Sequence, residues 1–246
     1  MRKKDMLISF IIVIIFIIVI IEGSIMNILV CGNTKGGVGK STLAVNLAVA
    51  ASLDGKKVML IDTDPQYSSA AWQAIRMERG KEDIACVRIS TPTIHEAVSK
   101  ITGFDMCIID CGGRSTPVFR SALIAAGIYG GILLIPVLPS QFDIFAAEDM
   151  VKVLAEAQPL IKIPAVFVLN RLIVNSTICK EAEDALAGFS SQVRLVNTKL
   201  YGRVVYAKSL EEGKGVLEVE PRGLAAGEIS NLYQEITTYF DKVETT

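Results

Sequence analysis

The chain has little of what metal-binding and disulfide-stapled proteins are made from. Its 246 residues hold one histidine, His95, and five cysteines, Cys31, Cys86, Cys107, Cys111 and Cys179. No two cysteines form Cys-x-x-Cys, and His95 has no companion at ligand spacing, so no paired-cysteine or histidine metal motif is readable. Buried free thiols in a reducing compartment are the expectation. Net charge is missing as well: 25 basic residues face 26 acidic ones. Leaving out Arg2, Lys3, Lys4, Asp5 and Glu22 gives 22 and 24 for the rest. The whole chain therefore carries no polyanion-binding signature, and contact with nucleic acid would need a local or dimer-assembled patch. There is no internal repeat, low-complexity segment or long linker. One domain with a substantial core is the default at this length.

Ten residues carry most of the readable chemistry: Asn33-Thr34-Lys35-Gly36-Gly37-Val38-Gly39-Lys40-Ser41-Thr42. They follow the apolar run Ile28-Leu29-Val30-Cys31 and precede an apolar-periodic stretch from Leu43 to Leu53. Strand, glycine loop, helix is the context a phosphate-binding loop requires. Glycines let successive backbone N–H groups turn toward one anion, and the helix start adds its positive end. Lys40 is placed for the β- and γ-phosphates of ATP and the Ser41 hydroxyl for Mg²⁺. Lys35 is a lysine that this pattern does not specify.

Two carboxylate strings follow. Asp62-Thr63-Asp64-Pro65-Gln66 closes the strand-like run Val58–Ile61. Acids there face the ligand edge of an open parallel sheet, and phosphoryl transfer needs a group that orients water. Turn and cap aspartates before Pro65 are the alternative. Met106-Cys107-Ile108-Ile109-Asp110-Cys111-Gly112-Gly113 reads as a Walker B strand and switch. Asp110 would hold Mg²⁺ through water, and the Gly113 N–H would sense the γ-phosphate.

Lys-Gly-Gly-x-Gly-Lys-[Ser/Thr]-Thr, matched at every specified position from Lys35 to Thr42, resembles the deviant Walker A motif of the ParA/MinD family of ATPases. Thr34 replaces the glycine of the plain P-loop, at a position that varies in that family. The resemblance implies that Lys35 is a signature lysine crossing a dimer interface to the partner's nucleotide. It implies that Asp64 positions or activates the attacking water, while Asp62 supports the loop and the metal's outer shell. Ile135–Ser140 and Val166–Arg171 resemble family strings too, and Asn170 matches the residue that reads adenine. An amide can pair with adenine's edge, a helix or turn cap being the alternative. The resemblance runs from about Met26 to Phe240 and is strongest to the small, ParF-like plasmid-partition ParA proteins. No paired cluster ligands are seen, unlike the iron–sulfur reductases that share this P-loop variant. No helix-turn-helix module precedes the loop, unlike the larger partition ATPases.

Strand and helix alternate throughout, with fully apolar strands. The expected fold is an α/β P-loop NTPase: a mainly parallel twisted sheet with helices on both faces. Strands are expected over 57–62, 84–89, 106–110, 131–136, 165–170 and 193–196. Helices are expected over 67–79, from near Thr93, and over 117–126, 142–157, 176–189 and 224–240. In the last helix Ile229, Leu232, Ile236 and Phe240 make an apolar stripe opposite Glu228, Glu235 and Asp241. That is a core-packing helix rather than a membrane-surface one, which would carry Lys and Arg. Residues 26–246 form the expected single ATPase domain.

Residues 1–25 are a separate question. Leu7–Ile21 is almost unbroken apolar sequence behind Arg2-Lys3-Lys4. It spans about 22 Å as a helix, short of a hydrocarbon core of roughly 30 Å. It looks like a signal-peptide core, without a convincing cleavage site. A crossing with the positive flank inside would carry the nucleotide site away from ATP. The expectation is an upstream-start artefact with Met26 as the true start, a membrane anchor being the alternative. Membrane association is not expected unless residues 1–25 are real.

The expected function is a ParA-type, Mg²⁺-dependent ATPase, cytoplasmic and nucleoid-associated. It would form a sandwich homodimer on ATP, bind DNA non-specifically and be stimulated by a ParB-like or cargo-adaptor protein. Lys199, Arg203, Lys208, Lys214 and Arg222 are the basic residues for phosphate contacts, or else ordinary solvated charges among Glu211, Glu212, Glu218 and Glu220. The rival is a membrane-linked bacterial tyrosine kinase, whose tail would offer only Tyr233 and Tyr239. A degenerate structural protein is a third reading, opposed by the complete set Lys40, Ser41, Asp64 and Asp110.

Overall fold

Among the described residues seven strands form one sheet in the order β3-β2-β4-β1-β5-β6-β7, every pair parallel. They are β1 (Asn27–Cys31), β2 (Val58–Asp62), β3 (Ile84–Arg88), β4 (Met106–Asp110), β5 (Ile132–Val137), β6 (Ala165–Leu172) and β7 (Arg194–Tyr201). Between and after them run α1 (Lys40–Leu53), α2 (Ser68–Glu78), α3 (Ile94–Val98), α4 (Pro117–Ile128), α5 (Gln141–Ala157), α6 (Thr177–Ala187), α7 (Val204–Glu211), α8 (Val216–Val219) and α9 (Leu224–Val243). The coordinates are a computed structural model describing residues 26–157, 161–174 and 176–243. The expectations for residues 1–25 fall outside these residues, as does the side chain of Asp241.

Parallel strands need crossovers, and the crossover helices cover both faces, so the strands are apolar on both sides. Leu29 and Cys31 pack with α1 and α9, while Ile28 and Val30 pack with α4 and α5. That alternation is the strand period of two. Helix α1 is buried along most of its length, which follows from its run of Leu, Val and Ala.

Two features differ from the sequence expectation. Strand β7 continues to Tyr201 rather than ending at Val196. Its outer residues are polar because this is a sheet edge, and α9 supplies their partners. Glu235 accepts from the N–H of Asn197 (2.7 Å) and of Thr198 (3.0 Å), and Glu228 from that of Tyr201 (3.2 Å). An edge strand held this way presents fewer open N–H groups. Helices α7 and α8 fill a stretch for which the sequence predicts no helix. Their stability is tertiary: Val216 N–H donates to Asn46 on α1 at 2.8 Å, and Glu218 meets α2.

That α2 contact is a buried ion network. Arg76 is 1% exposed, lies 5.3 Å from the Trp72 ring centroid and bonds Asp83, Glu218 and the Gly213 carbonyl. Lys81 adds a second cation to Glu218 at 2.6 Å. Burial raises the Glu218 pKa, but the bonds from Arg76, Lys81 and the Gly215 N–H outweigh it and leave it lowered. A lowered carboxylate contributes stability above its unfolded pKa and loses it as pH falls through the folded one. Arg76→Met takes one of its two cations from the buried Glu218 and leaves Lys81, so it should cost at most about 3–5 kcal/mol in urea unfolding at pH 7. The difference from the wild type should shrink below about pH 4, as Glu218 and Asp83 protonate; a constant difference across that range would contradict the account.

Candidate nucleotide site

The phosphate loop springs from β1 where the sheet's central strands end together. Cys31 is in register with Asp110, and Asp110 with Asp62. Asn33 fixes the loop's start. It is buried, its Nδ2 donates to Pro136 O at the end of β5 (2.8 Å), and its Oδ1 accepts the Lys35 N–H (2.9 Å). Gly37 and Gly39 have φ of 78° and 95°, a conformation that glycine adopts without Cβ strain. Lys40 opens α1 nearly buried, its ammonium donating to Lys35 O across the loop at 2.9 Å. Burial lowers its pKa, against the opposing pull of Asp110. Lys35 points elsewhere: its Nζ lies 2.8 Å from Asp143 Oδ2 on α5.

The acids meet this loop from β2 and β4. Asp110 is fully buried. Its Oδ2 accepts from Ser69 Oγ at 2.6 Å, and the nearby Ser41 hydroxyl also favours its charged form. Burial pushes its pKa up to about 7 against those two hydroxyls. Asp110 Oδ1 has no hydrogen-bond partner. Asp62 is used differently. Its Oδ1 accepts the Asp64 N–H (3.0 Å) and its Oδ2 the Ala70 N–H (2.9 Å), so both oxygens brace the β2–α2 turn. Asp64 is half-buried, accepts the Gln66 N–H at 2.9 Å and lies beside Gly112. A Cβ on Gly113 would stand 2.9 Å from Gly36 Cα, which shows how closely the segment after β4 approaches the loop.

These donors fit Mg²⁺. Ser41 and the unpartnered buried Asp110 oxygen are hard ligands, and Mg²⁺ characteristically takes one or two carboxylates with waters and substrate phosphates. Among the described residues there is no group of three or more His, Cys, Asp or Glu that could hold a metal unaided.

On the other side of the loop a cavity of about 300 Å³ lies between Thr42, Asn170, Gly202, Arg203 and Tyr206. Asn170 Nδ2 donates to Val38 O (2.8 Å), its Oδ1 accepts the Arg171 N–H (2.9 Å), and it fills the space where Gly39 has no Cβ. The amide thus ties β6 to the phosphate loop. One N–H and one lone pair of it remain for a base edge. Helix α7 provides the cavity's outer wall, so a segment expected only to offer basic residues to DNA is part of the site. Ser69 and Asn33 were also missed as site residues. Their types are ordinary for turns and helix starts, and only their partners distinguish them. Of the basic residues expected to meet DNA, Lys199 pairs with Glu183, Arg203 with Glu228 and Lys214 with Glu212.

A glycine loop at this point of a wholly parallel sheet, with a buried Asp ending the next strand, defines the class as a P-loop nucleotide-binding protein. Comparison narrows it. The chain belongs to the CobQ/CobB/MinD/ParA nucleotide-binding domain family, whose model matches residues 29–216. It is similar to the maintenance of carboxysome distribution protein A of Halothiobacillus neapolitanus, 26% identical over 85% of this chain and 95% of that protein. It is 29% identical to the chromosome-partitioning ATPase Soj of Thermus thermophilus, over 50% of this chain and 58% of Soj. The Cyanothece McdA–ATP complex shares its fold, with a TM-score of 0.67 at 18% identity over 91% of this chain and 96% of that one. The ParA/MinD members of this family are ATPases. The kinase reading finds no support here, and Tyr233 is 8% exposed, bonded to Asp54 at 2.9 Å. Among the described residues no helix is long and apolar enough to cross a membrane.

The raised Asp110 pKa has a measurable consequence. A carboxyl that is harder to ionise when folded lowers stability above its folded pKa, and the effect vanishes below its unfolded one. Asp110→Asn should therefore stabilise the metal-free, nucleotide-free protein at pH 8, by about 2–4 kcal/mol. The gain should fade as pH falls from 7 toward 4. Chemical unfolding across that range checks it, and a loss of stability at pH 8 would contradict it.

Proposed function

We propose that the chain is a Mg²⁺-dependent ATPase of the ParA type, which dimerises around ATP and uses that cycle to partition DNA or position another large cargo. The observation that carries the reading is the buried Asp110 oxygen without a hydrogen-bond partner, on a carboxylate whose charged form the nearby Ser41 hydroxyl favours, at the foot of the phosphate loop. In this reading the backbone N–H groups of Gly36, Gly37, Val38, Gly39, Lys40, Ser41 and Thr42 cradle the phosphates. Lys40 exchanges its bond to Lys35 O for phosphate oxygens. Ser41 and Asp110 hold Mg²⁺, which neutralises phosphate charge when bound, and Asp62 keeps its outer surroundings in place. Gly113 senses the γ-phosphate through its N–H, Asn170 reads adenine with the remaining capacity of its amide, and Asp64 orients the attacking water.

Lys35 of each protomer would reach the partner's nucleotide and close a sandwich homodimer. That dimer would bind DNA without sequence preference and respond to a ParB-like or cargo-adaptor protein. With Lys199, Arg203 and Lys214 already paired, Lys208 and Arg222 are the first residues to test for phosphate contacts. The carboxysome-distribution and chromosome-partitioning relatives support a cargo-moving cycle, which would run in the cytoplasm, on the nucleoid.

Two variants test the reading. Lys35→Ala should keep nucleotide binding but lose ATP-dependent dimerisation in light scattering, together with stimulated hydrolysis. Asp64→Ala should accumulate an ATP-bound dimer with phosphate release lowered by about 10²-fold or more. Normal turnover in Asp64→Ala would remove it from the water-orienting role, and normal dimerisation in Lys35→Ala would remove the shared site.

A further inference from the structure

Helix α5 begins Gln141-Phe142-Asp143-Ile144-Phe145 with its burial inverted. Phe142 is 77% exposed and Phe145 53%, while the Asp143 side chain is only 4% exposed. Exposing two rings and burying a carboxylate opposes the usual order, so the carboxylate needs a partner that compensates its desolvation. Its position in the first helical turn supplies part of this. Ser140 Oγ donates to Asp143 Oδ2 and accepts the Asp143 N–H at 3.2 Å. The compensating cation is Lys35, with Nζ 2.8 Å from that same oxygen. Asp143 Oδ1 is buried with no hydrogen-bond partner.

The lysine that the proposed function sends across a dimer interface is thus held by its own protomer. We propose that Asp143 is a positioning residue that latches Lys35 in cis, and that ATP-driven dimerisation exchanges this ion pair for contact with the partner's nucleotide. The inference rests on the shared-site reading of Lys35. One carboxylate competes for the ammonium with a polyphosphate. A triphosphate with its terminal phosphoryl oxygens competes better than a diphosphate, so the latch raises the threshold for dimerisation and favours ATP over ADP. Leaving the latch also uncovers a buried charge, so release of Lys35 is opposed until the nucleotide contact forms.

The test measures dimer formation by light scattering against ATP and ADP concentration, in the full chain with Mg²⁺. Asp143→Asn keeps the shape and removes the charge. It should lower the ATP midpoint several-fold and produce dimer in ADP, with monomer nucleotide affinity unchanged. Ser140→Ala retains the charge and leaves it more dependent on Lys35, so it should raise the ATP midpoint. A double-mutant cycle of Lys35→Ala and Asp143→Asn in urea unfolding should show coupling, whereas a purely architectural Asp143 would give additive losses. An Asp143→Asn midpoint at or above that of the wild type overturns the latch; so does an unchanged or lowered midpoint in Ser140→Ala, or an additive cycle. If the wild type itself forms no dimer with ATP, or Lys35→Ala dimerises normally, the shared-site reading fails first, and the latch with it.

Discussion

Three parallel strands ending in step create this site. Cys31, Asp110 and Asp62 sit side by side at the carboxyl ends of β1, β4 and β2. The hydrogen-bond ladder continues past them: Cys111 N–H donates to Cys31 O, Thr63 N–H to Asp110 O, and Gly32 N–H to Leu134 O on β5. The segments leaving the sheet are therefore fixed in their first residue, before any loop conformation is chosen. Parallel strands oblige every crossover to return to the opposite edge, so these ends collect on one side. The phosphate loop, the segment at Gly113 and the turn bearing Asp64 are brought together by that rule.

The same edge shows how two buried acids, in register on neighbouring strands, come to different ends. Asp62 and Asp110 are both at strand termini and both fully buried. Asp62 spends its oxygens on two backbone N–H groups and becomes part of the turn. Asp110 takes the Ser69 hydroxyl and keeps an oxygen without a partner. Hydroxyls can rotate and give way, whereas a braced backbone N–H cannot, so Asp110 is the acid that can accept a cation without the turn coming apart. Burial raises the pKa of both, and at Asp110 the cost is left standing where a metal would relieve it.

The sequence was legible where chemistry and local structure coincide. A glycine loop between an apolar strand and an apolar helix, and an Asp closing a buried strand, are local facts, and the parallel sheet followed from alternation. Helices α7 and α8 were not legible, because short segments owe their shape to partners far along the chain: Asn46 for Val216, Arg76 for Glu218. Strand β7 stopped early on paper because Asn197 and Thr198 are polar, and only Glu235 on α9 explains why an edge strand carries them. Asn170 could be read as a base contact or as a cap, and the fold gives it a third duty, holding Val38. Ser69 and Asp143 were invisible for the same reason. A serine near a helix start and an acid in a first turn are ordinary until Asp110 and Lys35 are found opposite them.

The two lysines of the loop are five residues apart and are both engaged within the chain. Lys40 closes on the carbonyl of Lys35, and the ammonium of Lys35 closes on Asp143. The contacts are arranged in series, since Lys40 holds the backbone of the residue whose side chain is latched. A phosphate that draws Lys40 away frees Lys35 O, and with it the loop segment from which the latched side chain extends. Lys40 is held by a neutral carbonyl and Lys35 by a full charge, so the first contact is the weaker of the two. An anion entering the loop therefore meets the easier exchange first, at the lysine that serves its own protomer, and the harder one second, at the lysine that would serve another.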